Sequence, residues 1–479
     1  VTTDPRYTGL MEEAMTAIPS LSIVTDLDNL MDPATGIQVN ARQRGREWER
    51  PVSLELLDPE GGSTFQIDAG IRIRGGWSRR GTNVKHAFRL FFRGEYGATK
   101  LRFPLFGDEG VDEFDKIDLR TSNDFSWHNS DRNDAALSEL AADLFTYGRD
   151  VFSRDTQRDM GQPYTRSRFY HLYLNGVYWG VYQSQERSEK EYAETYFGGN
   201  ADDYDVIKNG DNLIDGDTAA WQALWQAMLG EFDTDANYYG VQGLNPDGTP
   251  HATLPKLIDI DNLIDYMLVI YYTANFDAPV SWFYTDNEGT PNAGLNNIWA
   301  IYNRNNPDGF KFFLHDSGVS MVAHSTELGD YLPDGDHSNP HQDRTGPYLH
   351  PNLLLFENNN PQTIHQRLLA HPEYRMRFAD RVQRHFFNDG ALTPIATSDR
   401  FLTRANQIDR AIIGESARFG DIVRGAENPP RTRDDDWLAA VDGVVDTLLP
   451  TRTAVVLEQL KGQGWFPEVR APRLLVDGV

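Results

Sequence analysis

A chain of 479 residues, 39% hydrophobic and 12% aromatic, carries enough apolar surface to build sizeable cores, which excludes wholesale disorder. Its formal net charge of −26 repels nucleic acid and anionic lipid and attracts cations and basic proteins. With no cysteine, disulfides, thiolate metal sites, iron–sulfur clusters and cysteine nucleophiles are excluded. Eight Lys stand against 37 Arg, a bias that fits a salt-adapted source or an arginine-rich genome. No apolar run reaches membrane-spanning length. The chain opens on Val1-Thr2-Thr3 without a visible signal peptide, so a removed export signal stays open.

Residues 1–50 read as a loop-rich extension. Strands are expected from about 51 to 106, where Val52-Ser53-Leu54-Glu55-Leu56 and Ile71-Arg72-Ile73-Arg74 alternate and Phe88-Arg89-Leu90-Phe91-Phe92 is apolar. Turns are expected at Asp58–Gly62 and Arg74–Ser78. Residues 132–146 have a helical apolar face at Leu137, Leu140, Ala141 and Leu144. Strands at 168–175 and 178–184 flank Asn175-Gly176, a two-residue hairpin signal. Helices are expected at 217–230 and 260–274, capped by Asp217 and Asp259. A strand pair follows at 298–303 and 310–315, then a His/Asp/Pro/Gly-rich loop at 324–350. Helices at about 361–370, 372–387, 394–418 and 434–463 complete the pattern. This outline predicts an α+β protein with a β-rich lobe at 51–186, a mainly helical lobe at 187–465 and a tail at 466–479.

Several segments carry a family resemblance. Gly70-Ile71-Arg72-Ile73-Arg74-Gly75-Gly76 leads into Val84-Lys85-His86-Ala87-Phe88-Arg89-Leu90. Further on come Phe103-Pro104-Leu105-Phe106-Gly107, Leu119-Arg120 and Arg132-Asn133-Asp134. Leu172-Tyr173-Leu174-Asn175-Gly176-Val177-Tyr178-Trp179-Gly180 runs on to Glu186-Arg187. Asn275-Phe276-Asp277, Asn296-Asn297 and Phe313-Leu314-His315-Asp316 follow. Together they resemble the spore-coat protein H (CotH) kinase-like family. The resemblance implies an atypical two-lobed protein-kinase-like fold, with ATP and Mg²⁺ or Mn²⁺ as cofactors. It also implies a secreted or cell-surface bacterial setting and a protein acceptor, which the acidic charge would favour as basic.

Phosphoryl transfer needs cations on the phosphates, carboxylates and amides for metals, and an acid–base group at the acceptor. Under the resemblance, Lys85 holds phosphate oxygens, with Arg74 beside it on the glycine turn and Arg72, Arg79 and Arg80 nearby. Glu139 orients Lys85 from the first long helix. The segment Ser184-Gln185-Glu186 is where a hinge would meet adenine. Asp277 orients the acceptor and takes its proton. Asp316, with Asn297 and its neighbour Asn296, holds the metal. About twenty residues separate Asp277 from the asparagine pair, where the family spacing is a few. Either the intervening stretch is an insertion, or Ser281 has replaced one asparagine.

Other clusters are weaker. Asp334, Asp336, His337, His341 and Asp343 are of types that bind Ca²⁺ or a transition metal, but they fit no strict spacing. There is no G-x-S-x-G elbow. Two rival functions stay open: a catalytically silent binding or adhesion protein, and another ATP-dependent transfer such as amino-acid ligation or AMP transfer.

Overall fold

The computed structural model describes residues 1–81, 83–123, 125–128, 142–275, 277–281, 294–321, 341–346, 354–425 and 428–468. Most of the helix expected at 132–146, including Glu139, and most of the 324–350 loop, including His324 and Asp334 to His337, lie outside the described residues. The remaining architecture is α+β.

The first half is a closed barrel of seven strands in the order β1-β2-β3-β4-β7-β9-β8. These are β1 (Ser20–Val24), β2 (Arg50–Leu57), β3 (Phe65–Arg74), β4 (Ala87–Phe91), β7 (Lys116–Arg120), β8 (Ser167–Leu174) and β9 (Val177–Gln185). A short ribbon of β5 (Leu101–Arg102) and β6 (Glu113–Phe114) projects between β4 and β7. Alternation is what closes it. Val52, Leu54 and Leu56 of β2 are buried, as are Ile71 and Ile73 of β3 and Leu172 and Leu174 of β8, and they pack in one interior cluster. Each fully buried side chain of this kind contributes about 1.5–3 kcal/mol. The β8–β9 hairpin turns on Asn175 and Gly176, with φ of 49° and 78°, the pair of left-handed residues that a two-residue turn of matching twist requires.

The extension expected at 1–50 contributes a strand to the barrel. β1 pairs antiparallel with β2 and parallel with β8, so it is the strand that closes the ring. Ser20-Leu21-Ser22-Ile23 alternates like its neighbours, over a stretch too short to stand out.

The second half is more than helical. A five-stranded sheet runs β11-β10-β15-β16-β12. Its members are β10 (Tyr204–Lys208), β11 (Asn212–Asp215), β12 (Lys256–Ile258), β15 (Trp299–Asn303) and β16 (Asp308–Phe313). A two-residue ribbon joins β13 (Val280–Ser281) to β14 (Gly294–Leu295). The helix Ile260–Thr273 is the centre of this half, with all but Asp261 of its residues buried. A helix apolar on every side belongs in a core. Asp259 caps it, its side chain accepting from Asn262 N at 3.2 Å. The helices Pro361–Leu368, Pro372–Phe386, Pro394–Ile408 and Ala411–Phe419 follow, the stretch expected at 394–418 being two helices. A run with two π-type segments spans 433–462. No helix of the described residues is long and apolar enough to cross a membrane.

Candidate active site

The period-two pattern that sends Ile71 and Ile73 into the barrel sends Arg72 and Arg74 out. Cross-strand register then aligns Arg72 with Arg89, Arg89 with Asp118, Asp118 with Gln185 and Arg120 with Gln183. Opposed arginines repel. Asp118 offsets this: wholly buried, it takes Arg89 Nε at 2.6 Å, Arg74 Nε at 2.9 Å and an Arg187 nitrogen at 3.0 Å. Burial alone would raise its carboxyl, but Arg89, Arg187 and Arg74 hold it well below the usual range. A charged wall is thus built on the outer face of four adjacent strands.

The facing wall comes from chain segments far apart in sequence. Asp277 lies just past the central helix, Asn296 and Asn297 precede β15, and Asp316 follows β16. Val280 pairs with Leu295 and Ser281 with Gly294, so the twenty-residue excursion returns the asparagines to Asp277. Ser281 Oγ donates to Asp277 Oδ1 at 2.6 Å. Asn296 Nδ2 donates to Oδ1 at 3.1 Å and Asn297 Nδ2 to Oδ2 at 3.1 Å. The two alternatives for the metal amide therefore coexist: Ser281 and the asparagine pair all bond the same carboxylate. Asn297 also reaches the Asp316 carbonyl at 3.4 Å. Asn297 and Asp316 both adopt left-handed backbone, φ 55° and 56°, which Asn and Asp tolerate better than most residues.

Arg120 ties the two walls together. It donates to the Asp316 carboxylate and, at 2.8 Å, to Gln185 Oε1. Its other partner, Asp150, also accepts from Arg154 at 2.9 Å and from the Ser317 amide at 2.9 Å. Asp150 belongs to the helix Arg149–Asp159, which hydrophobic periodicity does not reveal because its buried face is ionic. Burial alone would lower the Arg120 guanidinium, but Asp150, Asp316 and Asp118 raise it, so it stays charged. His315 is kept neutral by burial and then by Arg74 and Arg120, and Arg74 donates to its Nε2 at 2.9 Å.

Between the walls is a cavity of about 530 Å³, within the range that holds small ligands. Arg72, Arg74 and Arg89 line one side, and Lys208, Asp277, Asn297 and Asp316 the other. A smaller adjoining space of about 80 Å³ shares Arg74, Trp77 and Asp316 with it. At the junction is Gly75, with φ 110°, where a Cβ would sit 2.0 Å from Ser78 Oγ. The cavity gathers cations in a chain that is acidic overall, so it attracts anions.

Of the residues singled out from sequence, Arg74, Asp277, Asn296, Asn297 and Asp316 meet in this cavity. Lys85 does not. Its Nζ is wholly buried and lies 2.6 Å from Glu415 Oε1 and 2.8 Å from the Val181 carbonyl. The hinge expectation also fails on geometry. Ser184 and Gln185 pair with β7 on one side and β8 on the other, which leaves no free edge for adenine. Gln185 instead supports Arg120 from behind, and Glu186 faces away, bonded to Arg166 and Tyr196. Arg79 spends its guanidinium on the carbonyls of Gly75, Ala41, Gln43 and Ile73, and Arg80 stacks on Trp77. Asp343, from the weaker His/Asp cluster, caps a local turn by accepting from Thr345.

Sequence reasoning passed over Lys208. Its signal was present: Asn209-Gly210, with φ of 47° and 80°, marks a turn after Tyr204-Asp205-Val206-Ile207-Lys208.

The family model described as CotH kinase protein matches residues 71–413, well over half of the chain. The chain belongs to that family. The match takes in the outer barrel wall, Asp277, the asparagine pair and Asp316. Comparison with curated proteins gives no match.

Kinase families imply a divalent metal, and the donors in this CotH kinase family member fit one. Asp316, Asn296 and Asn297 supply carboxylate and amide oxygens of the kind hard cations prefer, with no thiolate nearby. Arg120 occupies one Asp316 oxygen, and the Asp316 side chain is 37% exposed towards the cavity. Among the described residues no cluster of three or more His, Asp or Glu forms a metal cage on its own.

Proposed function

We propose that this CotH kinase family member is a metal-dependent phosphotransferase that uses ATP. In this reading the barrel and the helical half are the two lobes of an atypical kinase-like fold, and the cavity is the cleft between them. The carrying observation is the meeting of Asp277, Asn297 and Asp316 with a wall of arginines in one cavity. Carboxylate, amide and cation are the groups that phosphoryl transfer requires, and little else is needed.

Asp316 and Asn297, with Asn296 beside them, would hold Mg²⁺ or Mn²⁺, which when bound neutralises phosphate charge. Arg120 fixes the Asp316 carboxylate, and Asp150 and Gln185 fix Arg120. Asp277 is held in one orientation by Ser281, Asn296 and Asn297 and faces the acceptor. As the γ-phosphoryl leaves ADP for the acceptor oxygen, the acceptor hydroxyl proton passes to Asp277. The net charge of −26 favours a basic protein acceptor, and the family resemblance would set it at the cell surface or outside the cell.

The test is incubation of the protein with ATP, Mg²⁺ or Mn²⁺ and a basic protein such as a histone, followed by intact-mass measurement of every component. Addition of one phosphate, sensitive to chelator, supports the reading. Addition of AMP or an amino acid would move it to another transfer. One observation favours a second reading, a nucleotide-binding protein without turnover: the lysine of the family motif, Lys85, is outside the cavity. Binding of ATP with no modification of any acceptor would support it.

A further inference from the structure

We infer that Lys208 is the cation that grips phosphate oxygens in this cleft, a role the family motif would give to Lys85. The inference rests on the nucleotide-using reading for the ligand's identity, though not for its chemistry.

Most cations in and around the cavity are already engaged. Lys85 is paired to Glu415 behind the barrel wall. In the cavity, Arg72 faces Glu49, Arg74 and Arg89 share Asp118, and Arg187 bonds Asp118 and Glu189. Arg79 is consumed by carbonyls. Arg44 is exposed at the rim. Lys208 is different: it is half-buried and its side chain has no hydrogen-bond or ion-pair partner among the described residues. Its ammonium lies over the face of Trp299, 5.4 Å from the ring centroid. An ammonium withdrawn from water without an anion is unfavourable. Arg187 and Arg74 add repulsion, and Asp316 only partly relieves it. A ligand oxyanion would relieve all three cations together.

The position is also rigid. Lys208 ends β10 directly opposite Trp299 of β15. The next residue, Asn209, donates its amide to the Ile298 carbonyl at 3.2 Å and accepts from the Ile298 amide at 3.1 Å through Oδ1. Gly210 completes the turn where a Cβ would strike the Glu357 carbonyl at 2.0 Å. Ile298 adjoins Asn297, so Lys208 is fixed in register with the asparagine that contacts both Asp277 and Asp316. Three ammonium donors on a compact charge suit a phosphate that the flanking arginines leave unclaimed.

The full chain is titrated calorimetrically with Mg-ATP and, separately, with inorganic tripolyphosphate, as wild type, Lys208→Met, Lys208→Arg and Lys85→Met. Lys208→Met is expected to weaken both ligands tenfold or more by similar factors, with partial recovery in Lys208→Arg. Lys85→Met, in whatever fraction stays folded, is expected to bind as wild type. On the wild type, acetylation mapped by mass spectrometry should be blocked at Lys208 by either ligand, a readout that needs no variant. Unchanged affinity in Lys208→Met, or undiminished acetylation with ligand bound, overturns the inference. Wild type that binds tripolyphosphate but not ATP keeps Lys208 as an oxyanion site and removes the nucleotide reading. Binding of neither overturns both.

Discussion

Lys85 Nζ and Glu415 Oε1 lie 2.6 Å apart, both side chains wholly buried, across 330 residues of sequence. Glu415 also accepts the Val181 amide at 2.7 Å, so the pair pins the helix Ala411–Phe419 to β9 of the barrel. Burial lowers the lysine, and Glu415 opposes that in part.

Removing one member of such a pair strands a buried charge, at a cost of about 3–5 kcal/mol. Lys85→Met should therefore lower the denaturant midpoint sharply, and Lys85→Met with Glu415→Gln should recover much of the loss. Urea unfolding followed by circular dichroism measures both. Full stability in the single variant would show that the pin is not structural.

Lys208 makes a pH-dependent prediction. Burial, then Arg187 and Arg74, lower its ammonium from 10.5 to about 8, with Asp316 opposing and Arg89 adding to the repulsion. Near pH 8 the arginines stay charged, Arg74 included, which burial lowers only to about 10. Above pH 8 the free protein loses the Lys208 proton while ATP is already fully ionised. Metal-free ATP affinity should therefore fall as pH rises beyond about 8, by up to about tenfold per unit, with proton uptake on binding. Calorimetry in two buffers of different ionisation enthalpy reads that uptake, and Lys208→Met should abolish it. For folding the sign is opposite. Between about 8 and 10.5 the unfolded chain holds more protons at this site, so its contribution to stability improves as pH rises.

The sequence makes the cavity legible in part, and the gaps have physical causes. Asp277 and Asp316 follow a helix and a strand with strong apolar patterns, and Asn297 precedes another such strand, so their places can be found. Arg74 lies in a clean alternation. Lys85 lies beside an equally clean strand, but residue type and position cannot say which face a side chain takes when a charged partner waits 330 residues away. The helix Arg149–Asp159 buries Arg154, Asp155 and Gln157 by pairing them, with Arg404 on Asp155 at 2.6 Å, so the usual apolar stripe is absent. β1 is short and joins partners in register only after the chain has returned, which local pattern does not record.

Asp316→Ala should remove metal-dependent nucleotide binding while leaving the fold intact. Arg120 keeps Asp150 and Gln185 as partners in the variant, so no buried cation is stranded. Calorimetry with ATP, with and without Mg²⁺, is the measurement. Wild-type affinity and the same metal response would take Asp316 out of the metal set.

Asp277→Asn separates chemistry from binding. A group used mainly in the transition state lowers turnover when removed and leaves ligand affinity nearly unchanged. The variant should lose about two orders of magnitude or more in rate, the scale of a positioned general base, while ATP affinity stays within a few-fold. Geometry supplies the control. Ser281 Oγ donates to Asp277 Oδ1 at 2.6 Å, and Ser281→Ala deletes that bond without touching the carboxylate charge. Asn296 and Asn297 still hold both carboxylate oxygens there, so the rate should change only a few-fold. If Ser281→Ala is as damaging as Asp277→Asn, the loss in both comes from a disordered β13–β14 ribbon and Asp277 is a structural anchor. If Asp277→Asn turns over normally with an acceptor that the wild type modifies, the proton leaves by another route, and the arginine wall, Lys208 and metal carry the reaction without a base.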